Sequence, residues 1–173
     1  MPEFCLIRYG LIPEVARFPV LEGRSLSWGD RVVIRTPRGL ELGMALEQVR
    51  ATKETDLSES GFEIDRLATE ADEKDATRLR AEAQVAFDEW LTRIAEWQLD
   101  LELIDLEWTL DRQKLILYVL TGRGPDSTKL ALFAATQGVA VDVLPVTAEG
   151  LMVPQAASGG GGCGSGGCGC HDE

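Results

Sequence analysis

The chain has 173 residues with an apolar fraction of 45%, enough to bury one domain or two small ones. Its 29 acidic residues outnumber 17 basic ones, and the net charge of -12 disfavours autonomous binding to nucleic acid, which needs clustered Lys and Arg to neutralise phosphate. The opening residues MPEFCLIRYG lack a charged-then-apolar leader pattern, and no apolar run approaches the length that crosses a bilayer. The expectation is a cytoplasmic protein without a membrane segment, whose four cysteines are thiols or metal ligands and not a disulfide framework.

Residues 4–9 and 14–18 read as two short strands separated by Gly10 and Pro13, with a turn at Leu21-Glu22-Gly23. Cys5 falls among apolar neighbours in the first of them and reads as a buried small hydrophobe. The run from Gly29 to Glu47 reads as a hairpin. Gly29-Asp30 enters it, and Val32, Val33 and Ile34 suit a pleated, half-buried surface. Pro37-Arg38-Gly39 reverses the chain, proline presetting φ and glycine accepting positive φ, and the return strand runs from Leu40 to Leu46. Gly43 inside that strand predicts a bulge or a close backbone approach. Arg31, Arg35 and Arg38 read as solvated strand residues, the alternative being a local basic patch. Ala51 to Ser60 is polar and aperiodic, so it reads as a loop, and a further strand is expected at residues 62–66.

Thr69 opens the longest helix, with Asp72 as its capping partner. Leu79, Ala83, Ala86, Phe87, Trp90, Ile94 and Trp97 make a single apolar stripe that faces a core, while Glu89 and Arg93 stand in the favourable acid-first order. Leu101 to Thr109 alternates, with Ile104, Leu106 and Trp108 on one face and Asp105 and Glu107 on the other. Lys114 to Leu120 is apolar on both faces. Asp126 or Ser127 caps a short helix through Gln137, ended by Gly138, and Val139 to Leu144 is a last strand. The predicted fold is α+β. A small bent β-domain or barrel covers residues 1–67, an α-β-β-α-β layer with an antiparallel sheet covers 68–150, and a disordered, flexible Gly/Cys-rich tail covers 151–173.

Catalytic chemistry finds little material, and the reading is a protein that is not an enzyme. The only histidine is His171 in the tail, and neither a nucleophile elbow nor a phosphate-cradling loop ahead of a lysine occurs. Asp105 and Glu107 share a strand face, as general acid/base work would need, but they read as solvent-facing. The tail differs. Cys163, Cys168, Cys170 and His171 place three thiols and an imidazole within nine residues, a ligand set that suits zinc or, with one ligand supplied elsewhere, an iron–sulfur cluster. The alternative is a glycine-rich tail with free thiols and adventitious metal affinity.

The hairpin's Gly-Asp, its β-branched strand and Arg-Gly-Leu-Glu-Leu-Gly, together with RLATEAD (Arg66 to Asp72) and DLEWTLDRQKLILYVLTGRGPD (Asp105 to Asp126), resemble the YaaT/RicT-type bacterial proteins. These share a domain with the C-terminus of the yeast polymerase-suppressor protein. The resemblance spans nearly the whole chain, with its sharpest motif at Gly29 to Gly43. It implies a non-catalytic regulatory or scaffold subunit of a complex that modulates ribonuclease specificity and RNA maturation. The hairpin would be a structural signature and docking edge. The family carries tail cysteines in a pattern like G-x-x-C-G-x-x-x-C-C that help bind an iron–sulfur cluster shared with partner subunits. Here Cys163 to Cys168 keeps the first interval, the next cysteine is displaced to Cys170, and the fourth ligand stays open. Zinc carriage or redox sensing by the same tail is the rival reading. A second departure lies at Ser127-Thr128 and QGVAVDVLPV, where the family usually shows an Asp-Phe-Arg helix start and an arginine-rich strand.

Overall fold

The computed structural model describes residues 3–20, 25–50, 61–121, 125–147 and 150–151. The expected loop at 51–60, the turn at Leu21 to Gly23, Gly122, Gly124, and the tail with Cys163, Cys168, Cys170 and His171 lie outside the described residues.

Five strands come first: β1 (Glu3–Tyr9), β2 (Glu14–Pro19), β3 (Arg31–Thr36), β4 (Gly39–Arg50) and β5 (Glu63–Leu67). They form an antiparallel sheet in the order β2-β1-β4-β3-β5. The β3–β4 hairpin is therefore central. That corrects the expectation of a docking edge, since both of its strands already pair on each side. Thr36 faces Gly39 across the two-residue turn Pro37-Arg38, and Gly39 takes φ +141°. At Gly43 the close approach is the observed alternative: an added Cβ would stand 2.5 Å from Ile7 Cγ2. The bulge sits nearby instead, where Leu6 pairs with Glu47 and Ile7 with Ala45.

Cys5, Ile7, Tyr9, Phe18, Val32, Ile34 and Ala45 form the core beneath this sheet, and Phe62 and Ile64 pack against it. Phe62 meets Tyr9 and Phe18 edge-on, with ring centroids 6.3 and 5.3 Å apart, and draws the start of β5 toward β2. The sheet curls strongly but ends at β2 and β5 without closing into a barrel.

The second lobe comprises α1 (Glu70–Glu96), β6 (Leu101–Trp108), β7 (Leu115–Thr121), α2 (Asp126–Thr136), β8 (Val141–Thr147) and β9 (Gly150–Leu151). Its sheet runs β6-β7-β8-β9. β6 and β7 are antiparallel as expected, as are β8 and β9, whereas β7 and β8 are parallel because α2 carries the chain back between them. Ala83, Trp90 and Ile94 of α1 and Leu130 and Ala134 of α2 pack on Leu103, Leu106, Leu115, Leu117 and Val119, with Ala86, Phe87 and Trp97 at the margin. The capping box at Thr69 and Asp72 is present in both directions, and Gly138 follows α2 at φ +74°. The N-cap of α2 is Pro125 and makes no side-chain bond, so neither Asp126 nor Ser127 caps it. Asp126 instead accepts from Lys129 Nζ and from the backbone N–H of Asp100.

Strand β6 departs from plain alternation. A bulge between Leu103 and Asp105 leaves Ile104 42% exposed, while Leu103 and Leu106 are the buried pair. After the bulge Asp105 stands opposite Tyr118 and Glu107 opposite Ile116. Those positions alternate with Leu115, Leu117 and Val119, so they lie on the opposite face of the sheet from the helix-packed core, where Glu107 and Tyr118 meet the first lobe.

Candidate functional site

The hairpin tip carries the most heavily committed polar groups among the described residues. Core-facing positions in β4 recur at Glu41, Gly43 and Ala45, which drives a carboxylate into the interior. Arg38, two residues into the turn, supplies the counter-charge. Its Nη2 donates to Glu41 Oε1 at 2.8 Å, its Nε to Glu41 Oε2 at 3.0 Å, and its Nη1 to Glu14 Oε1 at 3.0 Å. Thr36 Oγ1 also donates to Glu41 Oε2, and the Arg38 guanidinium lies 4.9 Å from the Tyr9 ring centroid. Arg38 is 9% exposed and Glu41 4%, so the expectation of a solvated Arg38 is corrected: an inward carboxylate captures it. Arg31 is ion-paired with Glu73 of α1, and Arg35 remains exposed.

Across the lobe boundary stands Glu107. Its Oε2 accepts from Tyr118 Oη at 2.7 Å and from the backbone N–H of Leu11 in the β1–β2 loop at 2.9 Å. The backbone N–H of Leu110 donates to Leu40 O at 2.7 Å, and Thr109 lies against Gly39, where an added Cβ would meet Thr109 Cγ2 at 3.1 Å. Between these links is a cleft of about 80 Å³, lined by Glu41 and Leu42 on one side and by Leu79, Arg80, Glu107 and Trp108 on the other.

The electrostatics follow from burial. Burial works against a charged Arg38, but Glu41, Tyr118 and Glu14 hold its affinity for the proton above the ordinary range. Burial pushes Glu41 up against the pull of Arg38 and Thr36. Burial, then the neighbouring Glu107, raises Tyr118, which therefore stays a phenol donor. Cys5 is buried and its thiol is pushed up by that burial, as suits a core residue and not a ligand.

The two carboxylates expected in solvent are both engaged, which corrects that reading. Asp105 accepts from both Arg80 guanidinium nitrogens at 2.8 and 2.9 Å. Burial disfavours its ionised form, but Arg80 holds it below the usual carboxylate range. Arg80 also donates to Leu106 O, so one side chain of α1 caps the open edge of β6. At the base of α1, Arg66 of β5 makes a two-point pair with Asp72, which also accepts from the Thr69 backbone.

Among the described residues no three or more His, Cys, Asp or Glu side chains gather as metal ligands, and no helix is long and apolar enough to cross a membrane. Sequence reasoning missed the Arg38–Glu41 pair, although Glu41 at a core-facing position in step with Gly43 and Ala45 was the available signal.

Comparison with known proteins converges on the same region. Residues 62–123 match the model of the PSP1 C-terminal conserved region, a span that takes in β5, α1, β6 and β7 and thus the strand, helix and hairpin that join the lobes. The chain is similar to the stage 0 sporulation protein YaaT of Bacillus subtilis (strain 168), at 33% identity over 90 residues, which is 50% of this chain and 32% of that protein. The match thus spans about a third of that relative's length. No solved structure matches the chain. Together with the Gly29 to Gly43 hairpin and the RLATEAD turn, these matches make the chain similar to YaaT and to proteins with the PSP1 C-terminal conserved region.

Proposed function

We propose that this protein is a non-catalytic regulatory scaffold of the cytoplasm that works by holding protein partners, and that the complex it joins tunes ribonuclease specificity and RNA maturation. Kinship to a protein named for sporulation supports a regulatory role. The observation that carries the reading is the engagement of Asp105 with Arg80 and of Glu107 with Tyr118 and Leu11: the carboxylates best placed for acid/base work hold the architecture together. Direct nucleic-acid contact is secondary in this reading, since Arg38 is buried and Arg31 is paired. The test is affinity capture with the full chain as bait. Co-purification of a ribonuclease or its regulatory subunits, undisturbed by Asp105→Asn with Glu107→Gln, supports a scaffold. Loss of a measurable turnover activity in that double variant overturns it.

The tail residues Cys163, Cys168, Cys170 and His171 add a metal role to the proposal. Three thiolates and an imidazole suit an iron–sulfur cluster whose remaining ligand comes from a partner, and the same set suits zinc. Anaerobic purification, alone and with captured partners, followed by metal and acid-labile sulfide analysis separates the outcomes. Iron and sulfide lost in the Cys163→Ser/Cys168→Ser/Cys170→Ser variant support the cluster, zinc without sulfide supports a carrier or structural site, and neither metal removes the role.

A further inference from the structure

We propose that the joint between the two lobes is a latch of hydrogen bonds, Leu11 N–H of the first lobe to Glu107 of the second and Leu110 N–H of the second to Leu40 O of the first, set beside the Arg38–Glu41–Glu14 set of the first lobe, and that it opens as a unit while each lobe stays folded. The two lobes have separate cores, Cys5 to Ala45 in one and Ala83 to Ala134 in the other, and the two clusters share no residue. What lies between them is mixed, polar links set beside apolar walls. Leu11 N–H to Glu107 and Leu110 N–H to Leu40 O are hydrogen bonds that cross the boundary, and the small cleft beside them is walled by Glu41, Arg80 and Glu107 as well as by Leu42, Leu79 and Trp108.

A joint of this chemistry differs from an apolar interface in what it costs to part. Glu107 and the two boundary amides exchange their mutual bonds for water when they part, so each bond adds little net stability, while the Arg38–Glu41–Glu14 set stays together within the first lobe. Apolar cores exposed to water would not recover that way, and proteins accordingly open along their least apolar boundaries. The hinge is set by the chain itself. Leu67 to Thr69 is the covalent crossing, and Arg66–Asp72 with Arg31–Glu73 tie the first turn of α1 to β5 and β3. The first turn of α1 thus moves with the first lobe, and parting takes place where Glu107 and the β6–β7 turn meet the hairpin tip. Opening delivers Glu41, Arg38, Leu42 and Trp108 to solvent at once, so any partner that engages those groups selects the open form.

Site-resolved amide exchange on the labelled full chain tests this. The amides of Leu11 and Leu110 are expected to exchange together, through an opening more populated than the one that exposes the β1–β4 and β7–β8 ladders. Glu107→Gln weakens the charged acceptor. It should speed exchange at both amides by at least about tenfold, the scale of one hydrogen bond to a charged group, and leave the ladders unchanged. Leu110 is the decisive reporter, because its own bond goes to Leu40 O and not to Glu107. Exchange of both amides only with the ladders, or acceleration of Leu11 alone, overturns the latch. Tyr118→Phe removes one donor to Glu107 while keeping the ring, and carries the same test if Glu107→Gln does not fold.

Discussion

Arg38 in the two-residue turn and Glu41 in β4 are three positions apart, and the guanidinium folds back to meet both carboxylate oxygens at 2.8 and 3.0 Å in the interior. Both partners are more than nine-tenths buried, so removing one strands the other without water or counter-charge. Arg38→Met and Glu41→Leu are each expected to destabilise the protein by about 3–5 kcal/mol, whereas the two together should come within about 1 kcal/mol of the parent or exceed it. Chemical denaturation of the four proteins supplies the double-mutant cycle. Additive single effects would show that the pair is not coupled.

Gly43 answers to packing and not to backbone conformation. It sits between Val32 and Tyr9 in the sheet, and an added Cβ would run into Ile7 Cγ2 at 2.5 Å and crowd Ile34 Cδ1 at 3.3 Å. Gly43→Ala is therefore expected to cost about 1–3 kcal/mol despite alanine's better strand entropy. A paired Ile7→Leu, which moves the branch from Cβ to Cγ and so removes the Cγ2 methyl from the crowded site, should recover part of the loss. Unfolding midpoints that do not respond to the second change would exclude the clash as the cause.

Arg80 acts on an edge. By pairing with Asp105 and donating to Leu106 O it covers a main-chain acceptor that β6 would otherwise present. Arg80→Met keeps much of the aliphatic stem but loses these donors. The expected result is a modest loss of stability, about 1 kcal/mol, together with concentration-dependent association through the uncovered edge. Light scattering across a dilution series measures the second effect, and a strictly monomeric Arg80→Met would dismiss edge protection.

Local chemistry was the part legible in sequence. The strand and helix order, the Thr69–Asp72 box, the α1 stripe and the Gly39 turn all follow from periodicity and from residues with restricted backbone choices. Three features were not. The parallel β7–β8 pairing depends on where α2 returns the chain, the Ile104 bulge shifts a face without any glycine to announce it, and the fate of Asp105 and Glu107 depends on Arg80 and Tyr118, which are distant in sequence. Glu41 is the instructive case. Its charge argues for solvent, but its phase with Gly43 and Ala45 argues for the core, and phase prevailed because Arg38 was within reach.

Asp72 gives the fold a pH dependence of definite sign. Two hydrogen bonds from Arg66, then those from the Thr69 backbone and hydroxyl, hold its carboxyl well below the usual carboxylate range. A depressed folded-state value means that the unfolded chain takes up this proton first. The stabilisation is therefore complete above the unfolded value of about 3.9 and is lost as pH falls from there through the depressed folded value. Asp72→Asn should accordingly lower the melting temperature most at neutral pH, with the gap to the parent narrowing below about pH 4. Thr69→Ala, which removes the reciprocal cap but leaves Arg66–Asp72, should cost about 1 kcal/mol and show a weaker dependence on pH. Melting curves for the three proteins between neutral and strongly acidic pH decide the matter: a gap for Asp72→Asn that does not change with pH would mean that the carboxylate stabilises the helix by shape and hydrogen bonding, not by its charge.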